Sequence, residues 1–514
     1  MLRKFFSDKV LFSPIAIILF FAAVKLSLHL IFSSEYGYFR DEFYYIACSE
    51  NLAFGYVDHP PLIALITKLS ILLFGSSVEA IRILPALAGA AALFVGGLII
   101  TEIGGGRFAI LIGMIAILFS PVLLGSNHTL SMNPFDQLFW TLAIYILILI
   151  LNGKSDKYWI LFGVIIGIGL QNKHSIVFLL FGLLIGMLFT THRRFLKNKY
   201  LWIGAATAFL IFLPNFIWQV SNGFPTLEFA GNAAKFKNVT LSPIEFLSGQ
   251  FLEAHPNSFI ILVIGLAALL FIKEFKKYKL FAWCYIAILL LMIFTNSKTY
   301  YLAAIFPAMI AFGAASLSYF IRDQKFLWLR YSLASFILPS YLLILPMALP
   351  VLPVETYVKY ADKLGIGIPS SERHEMGKLP QHYADMFGWE NMAATVAKVY
   401  NSLPENEKRK CGIFTGNYGE AGSINFYSGK YNLPKAISGH NNYWLWGYGG
   451  YSGEVMIVLG TGLKFNLDLF EVVEPVEIIE SPYAMPYENN LPIYICKKPR
   501  YTLNNMWQKV KHFN

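Results

Sequence analysis

FRDEFYYIACSENLAFGYVDHPPL, residues 39–62, sets Arg40, Asp41, Glu42, Glu50, Asp58 and His59 between two apolar stretches. Around it, up to about residue 350, the chain is greasy. Of its 514 residues 56% are hydrophobic and only 14% charged, where a soluble protein carries about 25% charged residues. Apolar runs near or above ~18 residues recur, the length a helix needs to cross a bilayer. A cluster of ionisable groups directly after the first such run therefore lies at a membrane boundary, and groups of that kind are costly there unless they have a function.

The spacing predicts spans at about 11–32, 80–101, 108–125, 135–152, 158–171, 175–191, 200–218, 257–272, 280–295, 301–320 and 328–350. The start, MLRKFFSDKV before LFSPIAIILFFAAV, has the basic and apolar parts of a signal peptide. No A-x-A site follows it and many more spans do, so it reads as the first span. Basic residues fall in alternate loops, among them Arg3, Lys4, Lys9, Arg107, Lys154, Arg193, Arg194, Lys273, Lys276, Arg322 and Lys325. Lysine and arginine mark cytoplasmic loops. Eleven crossings then put the N-terminus inside and the tail outside. The net charge of +10 is spread over these loops, which argues against nucleic acid as a partner.

Residues 61–75, PLIALITKLSILLFG, are apolar but short, with Lys68 among them. They read as a helix lying in the outer interface, and Tyr38–Phe54 as another. From about residue 351 the character changes. GWENMAATVAKVYNSLP near 388–403 is helical, and CGIFTG, EVMIVLG, FEVVEPVEII and LPIYICK are strand-like, so the tail reads as a small α/β domain. The expected division is 1–350 for the membrane part, with a first outer loop over 33–80, and 351–514 for the tail. Cys411 and Cys496 pair only if the tail is extracytoplasmic; two separate buried thiols are the simpler reading.

Several residues point to chemistry. Asp41 and Glu42 suit a helix start, yet at a membrane surface a carboxylate also suits a general base that takes the proton of an acceptor hydroxyl. Adjacent side chains point about 100° apart on a helix, so the two serve different partners. In Asp58-His59-Pro60-Pro61 the prolines fix a turn, and Asp58 orients the His59 ring toward a phosphate. Asp41, Glu42, Asp58 and His59 together also offer donors for a divalent metal, though their spacing matches no strong metal motif. Arg82, Lys173 and Lys298 lie on or near the outer side, where basic residues are otherwise sparse; snorkelling explains any one of them, and a cluster suits an anionic lipid head group. Lys298 heads TYYLAAIFPAM, which sets Tyr300 at the interface. In SNHTLSMNPFDQLFW, Asp136 is ordinary helix-start chemistry after Pro134, while Asn133 and Asp136 also suit contacts to sugar hydroxyls. TGNYGEAGSINFYSG, 415–429, lacks Walker spacing and reads as a tight strand-to-helix turn.

RDEFYY…YVDHPPL, followed by the arginine-led helix IRILPALAGAAAL, resembles the first outer loop of GT-C glycosyltransferases. The branch it looks most like contains protein O-mannosyltransferases and lipid A aminoarabinose transferases. NKHSIVFLLFGLLIG, KTYYLAAIFPAMIAFGA and GNYGEAGSINFY…SGHNNYWLWG look like bacterial members of that branch. The resemblance implies an α-helical polytopic protein of GT-C type, with about 11 transmembrane helices, interfacial helices and a small C-terminal α/β extracytoplasmic domain. It implies a multi-pass protein of the bacterial inner membrane. It also implies a sugar donor carried on a polyprenyl phosphate of undecaprenyl type, and a glycan, lipid or protein acceptor outside the cytoplasm. The family's catalytic acid maps onto Asp41. The aspartate of the second outer loop falls at Asn133 or Asp136, and His59 stands where many relatives have lysine, which moves the phosphate contact toward Arg82 or Lys298.

Two other classes compete with an enzyme. A secondary transporter places its ionisable residues mid-membrane on broken helices, whereas here the acids cluster in outer loops. An assembly or receptor protein would depend on its tail and not on Asp41.

Overall fold

The computed structural model describes residues 13–321, 327–365 and 372–514. Arg3, Lys4, Lys9, Arg322 and Lys325, used above for orientation, lie outside the described residues. The chain divides into two compact units.

The first unit comprises the chain up to Ser33, Phe74–Ile217 and Thr240–Leu352. It is a bundle of apolar helices, as a multi-pass membrane protein requires, because lipid offers the backbone no hydrogen bonds and a helix satisfies its own. Six helices have the length and composition to cross a membrane, and three bent helix pairs pass the same test together. The shorter apolar helices Tyr158–Asn172 and Ile337–Ala348 lie where the spans 158–171 and 328–350 are expected but fall short of that length, so six to nine of the eleven expected spans meet it among the described residues. The breaks have local causes: Pro121 and Pro256 each open the second helix of a bent pair, where the missing N–H costs nothing. Helices meet at small residues. A Cβ on Gly313 would lie 1.9 Å from the Ile261 carbonyl oxygen, so Phe306–Phe320 packs directly on the backbone of Pro256–Phe271.

The second unit comprises Ser34–Leu73, Trp218–Val239 and Pro353–Asn514. The quoted loop thus clusters with the tail. Helices Arg40–Glu50 and Leu62–Phe74 fall in the two stretches expected to be interfacial helices. In the tail, β1 (Cys411–Thr415), β2 (Ala436–Ser438), β3 (Val455–Leu459), β4 (Phe470–Ile479) and β5 (Leu491–Pro499) form one sheet in the order β2-β1-β3-β5-β4. The first three in that order are parallel, and β5 runs antiparallel to both of its neighbours. β4 is one of the two edge strands; Pro475, a register shift and the charges of Glu471, Glu474 and Glu477 blunt it against further pairing. β2 was not read from the sequence, being three residues long. Helix Trp389–Ser402 stands where the sequence predicts one. All four cysteines are buried and free, and β3 lies between the strands carrying Cys411 and Cys496.

Candidate active site

Helix Arg40–Glu50 begins with its two acids in different roles. Glu42 is fully buried, and its carboxylate accepts the Phe39 N–H at 2.8 Å. That satisfies one of the orphan donors of the helix start. Asp41, one step round the helix, keeps 31% of its side chain exposed. The Tyr418 hydroxyl donates to Asp41 Oδ1 at 2.7 Å, and Arg40 Nε lies 3.6 Å from the same oxygen.

Arg40 is held from several sides. Its guanidinium donates to the Tyr487 hydroxyl at 2.6 Å, stands 3.8 Å from Asp385 Oδ2 and lies over the Tyr418 ring. Burial pushes the Asp385 carboxyl up to about 6, against the pull of Arg40. Close by, Asn417 donates its amide to both Glu420 Oε1 and Glu488 Oε1 at 2.9 Å. Burial carries Glu420 up to about 7, and raises Glu488 further because the Glu420 charge faces it.

Asp58 has a matching partner. The Tyr44 hydroxyl donates to Asp58 Oδ1 at 2.8 Å, and the rings of Tyr44 and Tyr418 stack at 4.8 Å. Asp41 and Asp58 are therefore each held by one phenol of a single stacked pair. Burial raises the Asp58 carboxyl by more than His59 lowers it. His59 itself is fully buried: Nδ1 lies 2.8 Å from the Pro60 carbonyl, Nε2 3.7 Å from Cys48 Sγ, and Tyr56 stacks on the ring at 4.6 Å. Both of its nitrogens have structural neighbours, so the expected turn toward a phosphate is not the arrangement found. Nor do Asp41, Glu42, Asp58 and His59 fit a divalent metal. Each side chain is committed separately, and no three His, Cys, Asp or Glu side chains among the described residues are grouped to hold one.

In the first unit, four of the sequence candidates come together. Lys173 donates to Asn133 Oδ1 at 2.8 Å and lies over the rings of Tyr300 and Tyr301. The Ser175 hydroxyl donates to Asp136 Oδ2 at 2.8 Å. Asp136 Oδ1 is buried and makes no hydrogen bond among the described residues. Gln250 donates to the Thr299 carbonyl at 2.8 Å, and the Thr299 hydroxyl donates to Glu253. Lys298 immediately precedes the short helix Thr299–Ile305. Arg82 stands apart from the cluster as a buried side chain that donates to the Ser33 carbonyl.

Sequence reasoning missed Tyr418, Asp385 and Tyr487 around Arg40, and Ser175 and Glu253 in the bundle. Tyr418 lay in TGNYGEAG and Ser175 in NKHSIVFLLFGLLIG, stretches that stood out in the sequence; the other three lay in none.

Residues 58–218 match the family model described as dolichyl-phosphate-mannose-protein mannosyltransferase. The structure is similar to that of ArnT from Cupriavidus metallidurans in the apo state, with a TM-score of 0.60 and 14% identity over 93% of this chain and 97% of that one. It is similar as well to ArnT from the same organism bound to undecaprenyl phosphate, with a TM-score of 0.59 and 13% identity over the same shares. Comparison with curated protein sequences found no match. Both findings agree with the resemblance read from the first outer loop, and the fold that it implied is borne out: it is ArnT-like, a helical membrane unit with a small C-terminal sheet domain.

Proposed function

We propose that this chain is an inverting glycosyltransferase that moves a sugar from a polyprenyl-phosphate carrier to a hydroxyl acceptor on the extracytoplasmic side of the bacterial inner membrane. The observation that carries this reading is Asp41: a partly open carboxylate at a helix start, fixed by a phenol and flanked by an arginine. Asp41 takes the proton from the acceptor hydroxyl as that oxygen attacks the anomeric carbon. The bond from that carbon to the phosphate oxygen breaks, and polyprenyl phosphate leaves with the electron pair. Attack from the face opposite the phosphate inverts the anomeric configuration.

The leaving phosphate needs cations. Lys173 and Lys298 are assigned to it, Lys173 first because its anchors, an amide oxygen and two aromatic faces, are uncharged. Arg82, tied to the Ser33 carbonyl, is assigned to shaping the start of its helix. Asp136 and Asn133 are assigned to sugar hydroxyls, Tyr300 to the ammonium of Lys173, and Asp58 to the acceptor side beside Asp41. Glu42 has a capping role. Donors of pentose, hexose or amino-sugar type and acceptors among lipid A, other envelope glycans and protein all suit this chemistry.

The test is incubation of the purified protein with a panel of polyprenyl-phosphate sugars and acceptors, with and without chelator. Release of polyprenyl phosphate that depends on acceptor supports the reading. Solute uptake into vesicles without any lipid donor, and no release with any member of the panel, would overturn it in favour of a transporter.

A further inference from the structure

TGNYGEAG, residues 415–422, follows β1 and opens helix Tyr418–Tyr431. Its residues have separate, mutually consistent roles. Asn417 caps the helix, accepting the N–H groups of Gly419 and Glu420 at 2.9 and 3.0 Å. Glu420 returns to the Gly416 N–H at 2.8 Å. A Cβ on Gly419 would lie 2.4 Å from Arg40 Cγ, and one on Gly422 would lie 2.8 Å from Phe43 Cβ. Only glycine at these two positions lets the helix start lie directly against helix Arg40–Glu50. The remaining residue, Tyr418, is thereby delivered to Asp41.

We infer that Tyr418 is a positioning residue for Asp41: its phenol occupies Oδ1, fixes the carboxylate plane and leaves Oδ2 for the acceptor hydroxyl. This rests on the reading of Asp41 as the base. The ring has little freedom of its own, stacked on Tyr44 at 4.8 Å and facing His440 at 4.7 Å. Oδ2 of Asp41 makes no hydrogen bond among the described residues. Burial raises the Tyr418 phenol well above its ordinary value, so it remains a donor across the working pH range. Around Asp41 the other charged and titratable groups are Arg40, Asp58 and Tyr44 from the loop, and Asp385, Tyr487 and the Glu420–Glu488 pair from the tail. Tyr418 alone among them donates to the carboxylate at hydrogen-bond distance. The tail is in this sense part of the catalytic apparatus, and TGNYGEAG is its contact motif.

The test uses the full-length purified chain with a polyprenyl-phosphate sugar that the wild type accepts. Tyr418→Phe keeps the ring and loses the donor. It should lower kcat about 10- to 100-fold with donor KM within about threefold. Replacing Tyr418 by a fluorinated tyrosine, which keeps both the shape and the donor, should hold kcat within about threefold of the wild type, and it keeps the test decisive if the phenylalanine variant folds poorly. A Tyr418→Phe kcat equal to that of the wild type, or a loss as large in the fluorinated variant as in Tyr418→Phe, would overturn the role. Asp41→Asn separates the two levels. If it retains full transfer, the base assignment fails and Tyr418 falls with it. If it is inactive while Tyr418→Phe matches the wild type, only the positioning role is lost.

Discussion

Lys173 donates its ammonium to Asn133 Oδ1 at 2.8 Å, joining the residue directly after helix Tyr158–Asn172 to the start of helix Asn133–Leu151, forty positions earlier in the chain. Its other close neighbours are ring faces, the Tyr301 centroid lying 4.6 Å away; the Asp136 carboxylate attracts it from beyond ion-pair distance. An ammonium held by an amide and π faces keeps its charge available to an incoming anion.

Lys173→Gln should therefore weaken the donor more than it slows the chemistry. Steady-state kinetics should show donor KM raised about tenfold, the scale of one lost charge-assisted contact, with kcat reduced less. An unchanged KM would remove Lys173 from the phosphate berth.

Glu42 offers a contrast with its neighbour. Glutamine can accept the Phe39 N–H as glutamate does, so Glu42→Gln should retain at least about half of the wild-type transfer rate. Glu42→Ala loses the cap and should cost about 1 kcal/mol of stability, visible as a lower Tm in detergent. Loss of transfer in Glu42→Gln with an unchanged Tm would return Glu42 to the chemistry.

Buried carboxyls set a pH dependence for the second unit. Asp385 sits at about 6 and Glu420 at about 7, against ordinary values of 3.8 and 4.5. Folding raises both, so the folded chain binds these protons more tightly than the unfolded one. Their contribution is fully present at low pH and is withdrawn as pH rises from about 4 to about 7. Thermal unfolding in detergent should show Tm falling by about 2–5 °C between about pH 5 and about pH 8. Glu488→Gln, which removes one member of the carboxyl pair, should flatten that slope. A Tm that rises over the same interval would contradict the assignment.

Much of the membrane unit was legible because a span leaves a long apolar signature that local breaks do not erase. Pro121 bends its helix pair without hiding the run 108–125. The four longer strands of the tail and the strand-to-helix turn at 415–418 were legible for a similar reason, since each lies in one continuous segment. The site was legible only in part. The Phe39–Glu42 cap spans four residues and had a visible signal, an acid three positions after the residue preceding the helix. His59 next to two prolines gave no sign that an aromatic cage from Tyr44, Tyr45 and Tyr56 would enclose it. The Tyr418–Asp41 bond joins residues 377 positions apart, and no local pattern records such a pairing. Only the glycines of TGNYGEAG hinted that another backbone comes close.

The most direct measurement compares Asp41→Asn with the wild type for acceptor-dependent release of polyprenyl phosphate, at matched folding by thermal unfolding. The carboxamide keeps the shape and can still accept from Tyr418, but it cannot take a proton. Release should fall by about a thousandfold or more, with donor binding retained. Release at the wild-type rate from a well-folded Asp41→Asn protein would contradict the assignment of Asp41 as the base.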